Sequence, residues 1–413
     1  MTKQVLYQVL FFFLTLSANL THANFAYVTN FVSNSVSVID TTTNTVVATI
    51  TNGIDRPDGV AITPNGQFAY VVNEVSNDVS VIDTSTNTVV TTISDGIGDL
   101  PQGVAISPNG QLAYVTNNSS NSVSVIDTSL NMVIATISSG FSGPLGIAIT
   151  PNGRFAYVAN SSSVNVSVVD LSTNMVIAMV TTGIPSEVAI TPDGRFVYVA
   201  AGSRVSVIDT STNMLTANIL LPQNPQDVAI TPDGQFAYVT INFNNQVAVI
   251  NTSTNMVVAT IPFPPSSGPF AIAITPDGRF AYITEGSDNN VSVVDTSTNA
   301  IVATFGVGSG PQGIAITPSI APAKNLRGHQ KKNDFAVVYE LSNRLQWQPS
   351  FAPFGPTVLG YYVYRNDVLI ATLSANTFEF VDNDVKKNAK NTYSVVAFGA
   401  QGQLGTPATI TIH

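Results

Sequence analysis

Two acidic residues stand where a repeated pattern otherwise places glycine or alanine. A Pro-x-x step recurs at Pro57, Pro101, Pro144, Pro185, Pro225, Pro269 and Pro311. The residue two places on is Gly59, Gly103, Gly146, Glu187, Asp227, Ala271 and Gly313. Carboxylates in neighbouring copies can hold a divalent cation or share a proton, because like charges held close resist ionising together. The bland alternative is that both stay hydrated and do no chemistry. Other catalytic groups are scarce. The chain has no Cys, and its three His are His22, His329 and His413, all outside the repeats. Copper or zinc centres, Ser-His-Asp triads and Cys-His pairs are thereby excluded from the repeat region. The single Trp, Trp347, also lies outside it, which argues against a tryptophan-docked quinone.

Most other acids have a structural role. Asp40, Asp83, Asp127, Asp170, Asp209 and Asp295 occupy one repeated slot ahead of Ser and Thr, with Asn251 in a further copy. Short oxygen-bearing side chains there cap their own backbone as turns. Arg154, Arg195 and Arg279 share a slot with Gln67, Gln111 and Gln235, as solvated hairpin residues do.

These residues are carried by a repeat. Phe-Ala-Tyr-Val-Thr-Asn and its variants centre on Tyr27, Tyr70, Tyr114, Tyr157, Tyr198, Tyr238 and Tyr282, spaced 43, 44, 43, 41, 40 and 44 residues apart. A fixed period of this size marks stacked supersecondary units. Each unit reads as four short strands, shown by Val60–Thr63, Phe68–Val72, Val79–Ile82 and Thr88–Ile93. Alternation of Val, Ile, Thr and Tyr favours strands over helices. Pro-Asn-Gly and Pro-Asp-Gly link the first two strands, supplying the positive φ of tight turns.

Seven four-stranded units of this length resemble the blades of a β-propeller. The Tyr-Val-Thr-Asn strand at Tyr27, the Thr-Pro-Asp-Gly turns and the Asp-Thr-Ser-Thr-Asn turns resemble the YVTN-repeat β-propeller family of exported bacterial and archaeal surface proteins. The resemblance implies an all-β, seven-bladed β-propeller over 24–318. The first unit lacks its Val-Ala-Ile-Thr strand, and residues 314–317 repeat that strand with no unit after it. This strand is expected to join the N-terminal blade and leave no open sheet edge.

In that topology the Pro-x-x slot lies at the mouth of a central channel, on the variable-loop face. The loops of that face hold Asp55, Asp58, Glu74, Asp78, Asp95, Asp99, Glu187, Asp227, Glu285 and Asp288, against Arg56 and Arg204. They also hold Phe31, Phe141, Phe243 and Phe270. Apolar rings amid like charge suit a basic or amphipathic partner.

The flanks differ from the repeats. Lys3, an apolar run from Val5 to Ala18 and Thr21-His22-Ala23 read as a signal peptide over 1–23. The repeats give way to a linker over 319–324. Residues 325–413 resemble a fibronectin type III β-sandwich, with Trp347 as the buried core tryptophan and Tyr393 as the corner tyrosine. Charge divides the same way: residues 25–318 hold nineteen acids, five Arg and no Lys, whereas 319–413 hold nine Lys or Arg and six acids. An acidic, Lys-free region is a poor match for phosphate backbones, so nucleic acid is not an expected partner. No other run reads as a transmembrane anchor.

The sequence therefore points to an exported, non-enzymatic binding or surface-interaction protein, periplasmic, secreted or at the cell surface. Its expected partner is a protein or a glycan, contacted through Glu187, Asp227, Asp58, Arg56, Arg204, Phe31, Phe141, Phe243 and Phe270, with no required cofactor. One alternative is a lactonase-like hydrolase in which Glu187 and Asp227 hold Ca2+ and Asp58 is a third ligand. Another is a structural component of the cell-envelope coat.

Overall fold

The computed structural model describes residues 24–318, then 324–335, 338–350, 358–366, 368–385, 390–399, 405 and 408–412. The leader expected over 1–23 and most of the linker expected over 319–324 lie outside the described residues.

Residues 25–316 form seven four-stranded antiparallel sheets. The second shows the plan, with inner strand Pro57–Ile62, then Phe68–Asn73, Asp78–Asp83 and outer strand Thr88–Ile93. The third to seventh sheets repeat it over residues 101–137, 144–181, 185–220, 228–262 and 269–306. In the first sheet, Phe25–Asn30, Ser35–Asp40 and Thr45–Ile50 are joined by Pro311–Ile316 from the far end of the repeats. There Ala26 pairs with Ile316, Tyr27 with Ala315 and Val28 with Ile314. Inner strands are neighbours in chain order. That of the seventh sheet lies beside Pro311–Ile316, which in turn lies beside Pro57–Ile62.

Burial explains why the two middle strands are almost continuously apolar. Neighbouring sheets cover both of their faces, so each core cluster spans two sheets. Tyr70, Val72 and Val81 pack with Ala113, Val115 and Ile126, and Ala26, Val28 and Ile39 pack with Tyr282, Val291 and Val293. Outer strands keep the alternation of half-buried sheets, as in Met175–Thr181, where Met175, Ile177 and Met179 are exposed.

The turns bind sheet to sheet. Asp83 Oδ1 accepts the Ser85 N–H at 2.8 Å and the Ser85 hydroxyl at 2.6 Å, which hold its carboxyl below the usual range. Asn251 accepts the same two donors from Ser253. The Asn closing each such turn is left-handed, as at Asn87 with φ 54°. Its side-chain oxygen receives a buried tyrosine from the preceding sheet: Tyr27 donates to Asn87 at 2.6 Å and Tyr70 to Asn131 at 2.6 Å. Tyr282 donates to Asn44 at 2.5 Å, linking the seventh sheet to the first. One junction differs, since Asn174 Oδ1 is buried without a partner.

The C-terminal strands form a three-stranded sheet (Lys324–Phe335, Val338–Gln348, Glu379–Asp382) and a four-stranded sheet (Val368–Ser374, Val358–Arg365, Asn391–Gly399, Ala408–Ile412). Trp347 is buried with Leu345, Tyr361 and Tyr393, its ring meeting Tyr361 edge-on at 5.5 Å. Tyr393 donates to buried Asp382 at 2.7 Å and accepts from Asn343 at 2.9 Å. Among the described residues no helix is long and apolar enough to cross a membrane.

Candidate functional site

The inner strands converge on a cavity of about 410 Å³. The residues just after each proline line it: Asp58, Gln102, Leu145, Ser186, Gln226, Phe270 and Gln312, with the Gly-or-acid position that follows. Proline suits the entry because the ladder residue it replaces sits at a strand start, where no N–H is needed.

Glycine at the next position has a steric cause. A Cβ on Gly59 would lie 2.3 Å from the Gln102 carbonyl oxygen, one on Gly103 2.4 Å from that of Leu145, and one on Gly313 2.4 Å from that of Asp58. Adjacent inner strands touch there, and threonines tie them: Thr29 donates to the Asp58 carbonyl at 2.5 Å and Thr116 to that of Leu145 at 2.6 Å. In the fifth sheet Ala200 replaces that threonine, and the Ser186 hydroxyl reaches the Gln226 carbonyl at 2.9 Å instead.

The two exceptional acids break this pattern in different ways. Glu187 Oε1 accepts the Val188 N–H at 3.2 Å, and its carboxyl lies over Gly146, where a Cβ would come within 2.2 Å of Oε1. Asp227 leans the other way. Its Oδ1 accepts Val228 N–H at 2.6 Å and its Oδ2 accepts Ile272 N–H at 2.8 Å. The carboxyls thus reach toward the fourth and seventh sheets respectively. The inner strand of the sixth sheet is Val228–Ile230, and just before it Gln226 N–H and the Asp227 carbonyl still bond to Thr240, at 2.9 and 3.0 Å.

Electrostatics favour protonation here. Burial in the cavity wall raises Glu187 well above the usual carboxylate range, and the charges of Asp227 and Asp58 add to the effect. Burial likewise pushes Asp227 up to about 7, although the Ile272 and Val228 N–H groups partly oppose it. Asp58 is pushed up to about 7 by burial and by the charge of Glu74. Among the described residues no group of three or more His, Cys, Asp or Glu is placed to hold a metal ion. Glu187, Asp227 and Asp58, the calcium ligands of the alternative reading from sequence, share the cavity wall, with the carboxyls of Glu187 and Asp227 directed to different neighbouring sheets.

The remaining sequence candidates separate. Phe270 lines the cavity with the three acids. Arg56 lies outside it, with its guanidinium 5.3 Å from the Phe31 ring centre. Arg204 begins the strand Arg204–Asp209 beside Gly183. Phe243 is 74% exposed on the turn Asn242–Asn244. Phe141 is a packing residue, set against the cluster that holds Ile147 and Ile149, because its loop folds back onto the seam between the third and fourth sheets.

Two residues were not singled out from sequence. Gln102 lines the cavity with a buried Oε1 that has no hydrogen-bond partner. Glu285, counted among the face loops, is 1% exposed and accepts the Ser292 hydroxyl. Its signal was available in the repeat, since Asn30, Asn73, Asn117 and Asn160 fill the same place in the first four sheets.

Sheets of this kind, converging by their inner strands on one cavity, define a β-propeller. The chain belongs to the YNCE-like β-propeller family, whose sequence profile matches residues 12–322. No curated protein matches the chain. Among solved structures it is similar to a functionally unknown protein from Desulfotomaculum acetoxidans DSM 771, with 22% identity and a TM-score of 0.62 over 71% of this chain and 99% of that one. It is similar to Kuenenia stuttgartiensis hydrazine synthase, with 24% identity and a TM-score of 0.57 over 62% of this chain and 88% of that one. It is also similar to the dihydro-heme d1 dehydrogenase NirN in complex with DHE, with 14% identity and a TM-score of 0.55 over 71% of this chain and 75% of that one. At these identities the likeness concerns the fold.

Proposed function

We propose that the protein is an exported binding protein that recognises a protein or glycan partner through the cavity and the surrounding loops. The observation that carries this reading is the cavity itself, which every sheet of the propeller lines and which holds Asp58, Glu187 and Asp227 without a nucleophile–base pair beside them. In this reading the propeller has seven blades of the YVTN-repeat type. Its ring closes through the pairing of Pro311–Ile316 with Phe25–Asn30, supported by the Tyr282–Asn44 hydrogen bond. Residues 325–413 form a fibronectin type III-like spacer or second contact, supported by the three- and four-stranded sheets and by buried Trp347. Residues 1–23 serve as the export signal.

A divalent-cation-dependent hydrolase is disfavoured by the divergence of Glu187 and Asp227 toward different sheets. The test is partner capture. The full chain, immobilised and exposed to a glycan array and to envelope and host extracts, is expected to retain a ligand that Phe243→Ser releases. Retention of nothing, or retention indifferent to changes in the face loops, overturns the reading.

A further inference from the structure

Recognition by this face leaves the occupant of the cavity to be named, and the wall chemistry narrows it. Three carboxyls, Asp58, Glu187 and Asp227, line the cavity, and no Lys, Arg or His does. Nothing in the wall neutralises them, so an anionic group meets only repulsion there.

One position further along the inner strands the wall changes character. Val60, Val104 and Ile314, each only partly buried, make an apolar band adjoining the acids and amides, with Phe270 in the same lining, whereas Ile147, Val188 and Ile272 are buried between sheets. A bare metal ion makes no use of such a band. An ammonium group on an alkyl stem uses both parts. Its N–H donors meet the carboxyl acceptors, its methylenes cover the apolar wall, and Phe270 lines the same cavity.

We propose that the cavity binds a primary ammonium group carried on an unbranched alkyl chain, with Glu187 and Asp227 as acceptors and the Val/Ile band as the seat of the stem. The chain is that of a free alkylamine or of a lysine side chain of the partner. This assignment rests on the recognition reading. Because burial holds Asp58 and Asp227 near 7, and Glu74 faces Asp58 while Asp227 and Asp58 face Glu187, the site enters its charged, cation-binding form as the pH rises through neutrality.

Calorimetric titration of the full chain with 1-aminopentane tests the assignment, with 1-pentanol, calcium chloride, acetyl-Gly-Lys-Gly-amide and acetyl-Gly-Gln-Gly-amide as comparisons. Saturable binding of the amine is expected at pH 8, about tenfold weaker at pH 6 where one proton is displaced per amine. Pentanol and the glutamine peptide are expected not to bind. Glu187→Gln/Asp227→Asn should weaken the amine by about tenfold or more, as oppositely charged partners of a buried cation commonly do. Asp58→Asn, read alongside the wild-type pH series, covers the case in which the double variant does not fold. A lysine peptide that outbinds the amine assigns the group to a partner protein, and the reverse order assigns a free amine. No amine binding at pH 8, equal binding of pentanol, a flat pH profile, or displacement of the amine by stoichiometric calcium overturns the proposal. If amine binding is absent while Phe243→Ser still releases a captured partner, only this assignment fails. If capture fails while the amine binds, the recognition reading fails.

Discussion

The first four sheets and the last three solve the same packing problem with different side chains. In the first four, Asn30, Asn73, Asn117 and Asn160 end the second strand and hydrogen-bond to serine hydroxyls of the third, as Asn73 does with Ser80 at 2.9 Å. In the second and fourth sheets the same amide also receives the incoming loop, Asp55 N–H donating to Asn73 Oδ1 at 3.1 Å and Ser142 N–H to Asn160 Oδ1 at 3.2 Å. In the last three the place is taken by Ala201, Ile241 and Glu285, all buried. The Pro-x-x position divides along the same line. Glycine fills it in the first four sheets, and Glu187, Asp227 and Ala271 fill it in the next three. The regular arc is fixed by close backbone contact. The irregular arc admits side chains where the other has none, and it is there that the cavity acquires Glu187 and Asp227, two of its three carboxyls.

The largest expected effect tests the regular arc. Gly103→Val places a branched side chain against the Leu145 carbonyl, 2.4 Å from the new Cβ, and should lower unfolding free energy by about 3 kcal/mol in a urea titration. Ala271→Gly, at the same position of the seventh sheet, should lower it by no more than about 1 kcal/mol. Similar losses for both would erase the distinction between the arcs.

Asn73→Ala is expected to lose about 2 kcal/mol, because Ser80 and the Asp55 N–H both lose a partner. Ala201→Asn should recover nothing, since Ser206, which stands where Ser80 does, is already engaged by the Thr182 carbonyl and Asn218. A stabilised Ala201→Asn would show that the amide clamp works in either arc.

Protonation sharpens the contrast next. The folded chain holds the Asp58 and Asp227 protons up to about 7, above the ordinary carboxylate value. Protons are bound more tightly in the folded state, so these groups contribute full stability below the unfolded carboxylate value. That contribution fades as pH rises through about 7. Asp227→Asn should therefore melt with the wild type at pH 4 and about 1 kcal/mol or more above it at pH 8, after allowance for the open side of the cavity. Glu285→Gln should behave in the same direction, since burial also raises Glu285. Equal melting shifts at both pH values would remove the electrostatic half of the comparison.

A smaller effect concerns the tyrosine links. Tyr157 donates to Asn213 at 2.7 Å, whereas Asn174 Oδ1, which occupies the corresponding place after the third sheet, has no partner. Tyr157→Phe should cost about 1 kcal/mol more than Tyr114→Phe. The smallest effect is expected for Asp83→Asn, within about 0.5 kcal/mol, because Asn251 already makes the same turn in the sixth sheet.

The repeat was legible at the level of strands, turns and the joining of the chain's first sheet to residues 311–316, because each of these follows from local alternation and from counting units. The turn role of Asp83 and its equivalents was legible too, since a short acid followed two residues later by serine caps itself. The roles of Phe141 and Glu285 were not. Loop membership places a side chain along the chain but not in space, and Phe141 turns inward onto Ile147 while Phe243 turns outward. The departure of Glu285 from asparagine was visible, yet only its neighbours show that a carboxyl there is buried against Ser292.

Composition and spacing alone determined that Glu187 and Asp227 are exceptional, that the repeat region lacks His and Cys, and that its strands fall into four-stranded units. Tertiary structure decided whether the exceptional acids act together. Glu187 finds room over a glycine of the fourth sheet, and Asp227 finds N–H donors on the sixth and seventh. The direction of a side chain at a converging strand depends on which neighbouring backbone offers space or a donor, and that is a property of sheets brought together from distant parts of the chain.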